Sequence, residues 1–154
     1  MQGESDLKEL LKNMQPYADE REFVFCSVDA AALSQLSITP IGLFREPEGT
    51  TLVLDKRQAD KYALSYNSVW SLITLTVHSD LTAVGFLAAI TAGLAKAGIS
   101  VNVVSGYYHD HLFVPYYERE RALDVLTRLS DAEAMGRRGG VKSVHFDLGL
   151  KLKK

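Results

Sequence analysis

The chain has 154 residues, 47% hydrophobic and 23% charged, a balance that supports a packed core and excludes a disordered polymer. Its net charge of −2 and sequence pI near 6.1 leave no basic footprint for nucleic acid or an anionic membrane, and the short tail Lys151-Leu152-Lys153-Lys154 does not alter that. A single cysteine, Cys26, excludes an intrachain disulfide or a zinc site built from cysteines, and its apolar setting reads as core.

In chain order, Asp6 and Glu9 stand at capping-box spacing, and Leu7, Leu10, Leu11 and Met14 stripe a short helix that Pro16 ends. The acidic N-terminal stretch lacks the charged-then-apolar order of a secretory leader, so the expected location is cytoplasmic. Residues 22–28 read as a strand, and 30–39 as a loop with at most a turn of helix. The apolar runs 40–44 and 51–54 flank Arg45-Glu46-Pro47-Glu48-Gly49, whose Pro and Gly make it the turn of a hairpin. Asp55 then opens a short helix to Leu64, with Ala59, Tyr62 and Ala63 facing inward, before the linker 65–68.

The clearest signals lie between Trp70 and Pro115. Ile73, Leu75 and Val77 share one face of a strand over 71–77. After His78-Ser79-Asp80 the period changes: Leu87, Ile90, Leu94 and Ala97 stripe a helix that Gly98 ends as an αL cap. Lys96 interrupts the apolar segment 81–104 before it reaches the ~20 residues a bilayer requires, so a buried helix is expected rather than a membrane span. Residues 99–104 return to strand character. They turn back through Tyr108-His109-Asp110-His111, with Asp110 at the tip, into Leu112-Phe113-Val114-Pro115. From Glu118, Ala122, Val125, Leu126 and Leu129 mark a further helix, and after Gly139-Gly140 the alternation of Val144, Phe146 and Leu148 predicts a last strand over 141–150.

The order helix, strand, strand, helix occurs twice, over 6–64 and 82–129, and Thr51-Leu52-Val53-Leu54 is similar to His111-Leu112-Phe113-Val114. A period of roughly 60 to 65 residues suits a duplicated small domain. Strand, helix and hairpin are half of a ferredoxin-like unit, which makes the fold class α+β.

Gly85-Phe86-Leu87-Ala88, then a helix, then Ala97-Gly98-Ile99-Ser100-Val101-Asn102, resembles the ACT domain, particularly the regulatory region of aspartate kinases. The wider pattern, from Glu46-Pro47-Glu48-Gly49-Thr50-Thr51-Leu52 to the string 109–115, resembles small stand-alone bacterial proteins made of tandem ACT domains. That resemblance implies a βαββαβ fold with antiparallel sheets joined side by side. The residues themselves give a degenerate N-terminal unit over 1–66 with no strand before its opening helix, and a second unit over 67–154 whose last strand completes either one. The resemblance further implies a non-catalytic protein that binds a small molecule, usually an amino acid, needs no cofactor or metal, and pairs as a homodimer or higher homo-oligomer.

In matching members the ligand sits by the first strand-to-helix turn and against the second strand of a neighbouring domain. The candidates are therefore His78, Ser79, Asp80, Val84, Gly85 and Phe86, with Ser100 and Asn102 across the interface. The chemistry suits an amino acid: a helix N-terminus offers unpaired N–H groups to a carboxylate, Gly85 allows close backbone approach, and Asp80 or Asn102 can accept from an ammonium. The turn Asp80–Gly85 is longer than in many amino-acid-binding relatives and has no proline.

Each candidate has a plainer role. Asp80 serves as a helix cap, worth ~1 kcal/mol, and Asn102 satisfies local hydrogen bonds. His109-Asp110-His111 contains metal-ligand and acid–base chemistry, but a third convergent ligand is not specified nearby, so a hairpin turn is the better reading. His145 alternates with apolar residues and reads as partly exposed. The paired tyrosines 107–108 and 116–117 are expected to cover sheet edges or an interface rather than stack on nucleic-acid bases. A ligand-free interaction module is the alternative function, and a small metal enzyme built on the histidine turn a third.

Overall fold

The computed structural model describes residues 3–136. The expected last strand, 141–150, with His145, lies outside them. In chain order the elements are α1 (Leu7–Asn13), β1 (Pro16–Val28), α2 (Ala30–Gln35), β2 (Gly42–Glu46), β3 (Gly49–Asp55), α3 (Lys56–Lys61), β4 (Val69–Leu75), α4 (Phe86–Lys96), β5 (Asn102–Ser105), β6 (Asp110–Pro115) and α5 (Arg119–Met135). The strands form one six-stranded antiparallel sheet in the order β2-β3-β1-β4-β6-β5.

This sheet is a duplication. β1-α2-β2-β3-α3 and β4-α4-β5-β6-α5 have the same element order, and the two halves meet where β1 pairs β4. Phe23 lies opposite Trp70, Val24 opposite Val69, and Glu22 opposite Ser71. In the strand order each leading strand occupies the place of its neighbour's fourth strand. The expectation of an N-terminal half without a leading strand is therefore corrected: β1 is that strand. Its first residues are hard to read as strand because Tyr17 to Glu22 is polar and a register shift between Ala18 and Glu22 breaks the alternation.

The helix expected to open the first half, α1, is an addition that packs on the second half. Leu10 and Met14 enter the core formed by Ile73, Leu75, Phe86, Ile90, Leu94, Leu112 and Leu126. The Ser130 hydroxyl of α5 donates to the carbonyls of Lys12 (3.0 Å) and Met14 (3.3 Å), satisfying groups at the end of α1. Asp6 caps α1 as its position predicts, accepting from the N–H groups of Lys8 and Glu9 at 3.0 Å.

A smaller core joins Val24, Cys26, Val28, Leu52, Leu54 and Ala59 to Leu33 and Leu36 near α2. Strand alternation puts both cores on one face of the sheet, the helical face. The opposite face carries Phe23, Val53 and Phe113 with Phe25, Trp70 and Leu72. Phe25 meets Phe113 edge-on with centroids at 5.2 Å and Trp70 at 5.9 Å.

Several local expectations change. Ala63 does not face inward: it is exposed with φ +52°, where the chain leaves α3. Val77 lies beyond β4, which ends at Leu75. The turn between β5 and β6 closes with the Gly106 N–H donating to the His109 carbonyl at 2.9 Å, so Asp110 is not at its tip. Asp110 begins β6, 5% exposed, opposite both Leu75 and Ser105.

Candidate functional site

The end of β4 feeds the loop 76–85, which returns to the sheet end before α4 begins. Gly85 is the N-cap of α4 at φ +92°, a left-handed conformation that glycine adopts without a Cβ penalty. No side chain caps this helix, so the N–H groups of its first turn lack the partner that a serine or aspartate would supply. Phe86 then anchors the helix in the core, 2% exposed.

The expectation that Asp80 caps α4 is corrected, since the N-cap is Gly85 and no side chain caps the helix. The Asp80 Oδ1 accepts from the N–H (2.8 Å) and the hydroxyl (2.5 Å) of Thr82, closing a local turn. Those bonds, the hydroxyl's first, hold the Asp80 carboxyl below its ordinary range. The loop is also held from the N-terminal side: the Glu4 N–H donates to the His78 carbonyl and the Asp80 N–H to the Glu4 carbonyl, both at 2.9 Å. Gly3 lies close against this strap, where an added Cβ would stand 2.6 Å from the Asp80 nitrogen.

Under the loop is a cavity of about 110 Å³. Ser79, Asp80, Gly85 and Phe86, all expected from the sequence, line it together with Leu87, Ala88, Ser105 and Asp110. The Asp110 carboxylate is held by two hydroxyls: Ser79 Oγ donates to Oδ2 at 2.8 Å and Ser105 Oγ to Oδ1 at 2.7 Å.

Ser105 and Asp110, which also line the cavity, are not among the residues expected there from the sequence. Strand alternation carried the signal, because Asp110 is in phase with Leu112 and Val114, both fully buried. Placing Asp110 at a turn concealed that phase.

The other expected residues are not brought to the cavity. Val84 is 85% exposed, while Ser100 and Asn102 are exposed at the β5 edge of the sheet. The His78 ring instead lies 5.2 Å from that of Tyr108 and 6.5 Å from that of His109.

The histidine pair is occupied locally. His109 Nδ1 is 3.2 Å from the Val77 carbonyl, and His111 Nδ1 is 3.0 Å from Thr74 Oγ1. Burial pushes the His111 imidazole below its ordinary range, with His109 acting in the same direction and Asp110 against it. Among the described residues no three His, Cys, Asp or Glu side chains gather as a metal site.

Larger hollows of about 360, 410 and 530 Å³ lie elsewhere on the surface. The first is bordered by Arg21 and Arg57, already paired with Asp19 (2.6 Å) and Asp55 (3.0 Å). None of these hollows combines a buried carboxylate with the start of a long helix. Among the described residues no helix is long and apolar enough to cross a membrane.

Sequence models of the ACT domain match residues 2–71 and 67–128. No protein of curated function matches the sequence. Among solved structures, a protein of unknown function from Vibrio cholerae, described as a possible transport protein, is 47% identical. That match has a TM-score of 0.73 and covers 80% of this chain and 95% of the other. A protein from Agrobacterium tumefaciens is 16% identical, with a TM-score of 0.61 and coverage of 76% and 89%. The ligand-free regulatory subunit of aspartate kinase from Thermus thermophilus is 10% identical, with a TM-score of 0.60 and coverage of 77% and 97%. The last two show the fold alone, α+β with the ferredoxin-like arrangement of regulatory ACT domains. With two ACT matches in tandem and a duplicated sheet that joins them, this chain belongs to the ACT-domain family.

Proposed function

We propose that the chain is a non-catalytic regulatory protein that binds an amino acid beneath loop 76–85 and converts occupancy into a change of subunit pairing. The observation that carries this reading is the cavity at the start of α4, where an uncapped helix N-terminus and Asp110 face one small space in an ACT-family fold. Helix N–H groups suit the ligand carboxylate, and the loop side chains suit the rest of a polar ligand. Ser100 and Asn102 belong to the same reading only in trans. β5 is an edge strand, and a second copy docking its own β5 near the loop would bring both residues to the ligand. We place the protein in the cytoplasm, which suits the buried free thiol of Cys26.

A thermal-shift screen of the natural amino acids tests the reading. A ligand at about 100 times its Kd adds about 2.7 kcal/mol to the native state, so at least one amino acid is expected to raise Tm saturably. Sedimentation with and without that amino acid then reports pairing, which shifts only if the two arrangements differ in affinity. A folded protein that responds to none of the set would overturn amino-acid binding. The second reading, a ligand-free docking module, is favoured by the exposed apolar residues Leu81, Val84, Tyr107 and Tyr108 on the two loops at this end of the sheet. It predicts a stable oligomer that no amino acid alters.

A further inference from the structure

We propose that the hollow of about 530 Å³ at the far end of β4 from loop 76–85 is a binding site for a small organic cation of the quaternary ammonium class. It lies on the seam between the two halves and is independent of the amino-acid reading.

The hollow forms where β4 begins and β6 ends while β1 runs on past them, so residues of both sheet faces border it. Asn67, Trp70, Pro115, Tyr116 and Tyr117 line it together with Glu22. Its volume falls within the ~300–1,000 Å³ of ordinary ligand pockets. Trp70 stands opposite Phe23 on one side and Pro115 on the other, and Phe25 meets its ring edge-on at 5.9 Å, which holds it in place. Tyr116 and Tyr117 follow directly in the 3₁₀ turn Tyr116–Glu118, where Tyr117 is 84% exposed. Three aromatic residues thus border one space.

Charge selects the class. Glu22 is half-buried, and among the described residues its carboxylate has no ion-pair partner. The cations that adjoin the lining in sequence are engaged elsewhere: Arg21 with Asp19 at 2.6 Å, and Arg119 with Glu120 at 3.6 Å. Aromatic faces attract cations through the ring quadrupole, and a free carboxylate adds Coulombic attraction. A quaternary ammonium suits such a wall best, because it offers methyl groups to the rings and requires no hydrogen-bond acceptors.

The duplication supplies a natural comparison. Asp55 stands opposite Phe23 as Pro115 stands opposite Trp70, so Arg57 takes the place that Tyr117 holds in the second half. The hollow on that side, about 360 Å³, is bordered by Arg21, Arg57 and Lys61, which repel a cation.

Titration of the whole chain with choline and with neohexyl alcohol, the isostere that has carbon in place of the charged nitrogen, tests the assignment. The emission of Trp70, the only tryptophan in the chain, reports occupancy. Choline is expected to give a saturable change and to bind about 10-fold more tightly than the alcohol. Tyr117→Leu keeps apolar bulk at an exposed position and is expected to remove most of that preference, and Glu22→Gln to reduce it several-fold, while circular dichroism shows the fold intact. Equal affinity for choline and its isostere would leave an apolar groove without cation selectivity and overturn the proposal. So would a preference for choline that both variants retain in full, or the absence of any saturable response to choline. Should neither variant fold, the comparison of choline with neohexyl alcohol on the natural protein decides alone.

Discussion

The two halves of the sheet follow one plan and end in different chemistry. In the first, β1 passes through Asp29 into α2, whose start Asp29 closes by accepting from the Ala32 N–H at 2.7 Å. In the second, loop 76–85 intervenes, α4 begins at Gly85 without a side-chain cap, and a cavity remains between the helix start and Asp110. The helices differ correspondingly: α2 has six residues and none buried, whereas α4 has eleven and buries Phe86, Ile90 and Leu94. Duplication thus leaves one half to complete the sheet and the other with a long, well-anchored helix that presents a free N-terminus.

The largest expected effect follows from that anchoring. Leu94→Ala should cost about 2–5 kcal/mol, because it opens a cavity in the core where α1, α4 and α5 meet the sheet. Leu33→Ala, on the half-buried side of α2, should cost about 1 kcal/mol. Denaturant melts of the two variants measure the difference, and equal losses would break the contrast between the halves.

The next comparison concerns the helix starts. Gly85→Ala forces an L-residue to φ +92° and should cost about 1–2 kcal/mol, with a weakened thermal response to amino acids. Asp29→Ala removes the cap of α2 and should cost about 1 kcal/mol without touching that response. An equal loss of ligand response in both variants would mean that the two helix starts share the function.

The smallest effect is a pH dependence. His111 occupies in β6 the place that Thr51 occupies in β3, so the titration belongs to the second half alone. Its folded pKa lies below the unfolded value of 6.5. As pH falls through that value the unfolded chain takes up the proton first, so stability is full above it and declines below it, down to the folded pKa. Tm followed from about pH 7.5 to 5 should therefore fall less steeply for His111→Gln than for the natural chain. Identical slopes would show that His111 carries no such linkage.

Much of the fold was legible in local patterns. Asp6 and Asp55 cap the helices they precede, Gly98 closes α4 at φ +72°, and Leu52 and Leu112 are fully buried at matching places in the two hairpins. Of the residues expected at the site from the resemblance, Ser79, Asp80, Gly85 and Phe86 line one cavity, because a strand-to-helix turn keeps neighbours in sequence close in space. Asp110 and Ser105 were not legible in that way, since their meeting with Ser79 joins residues far apart in the chain and depends on where the β5–β6 turn closes.

By itself, then, the amino-acid order determined most of the strands and the longer helices, that a strand–strand–helix pattern recurs, and that helix α4 follows a glycine. Those features rest on side-chain period and backbone conformation, which act over a few residues. Only the tertiary structure decided that β1 and β4 join the halves into one sheet, that α1 packs on the second half, and that Asp110 turns inward to a cavity. Each of these depends on pairing register and on burial between distant segments, where shifting a strand by one residue would exchange its two faces.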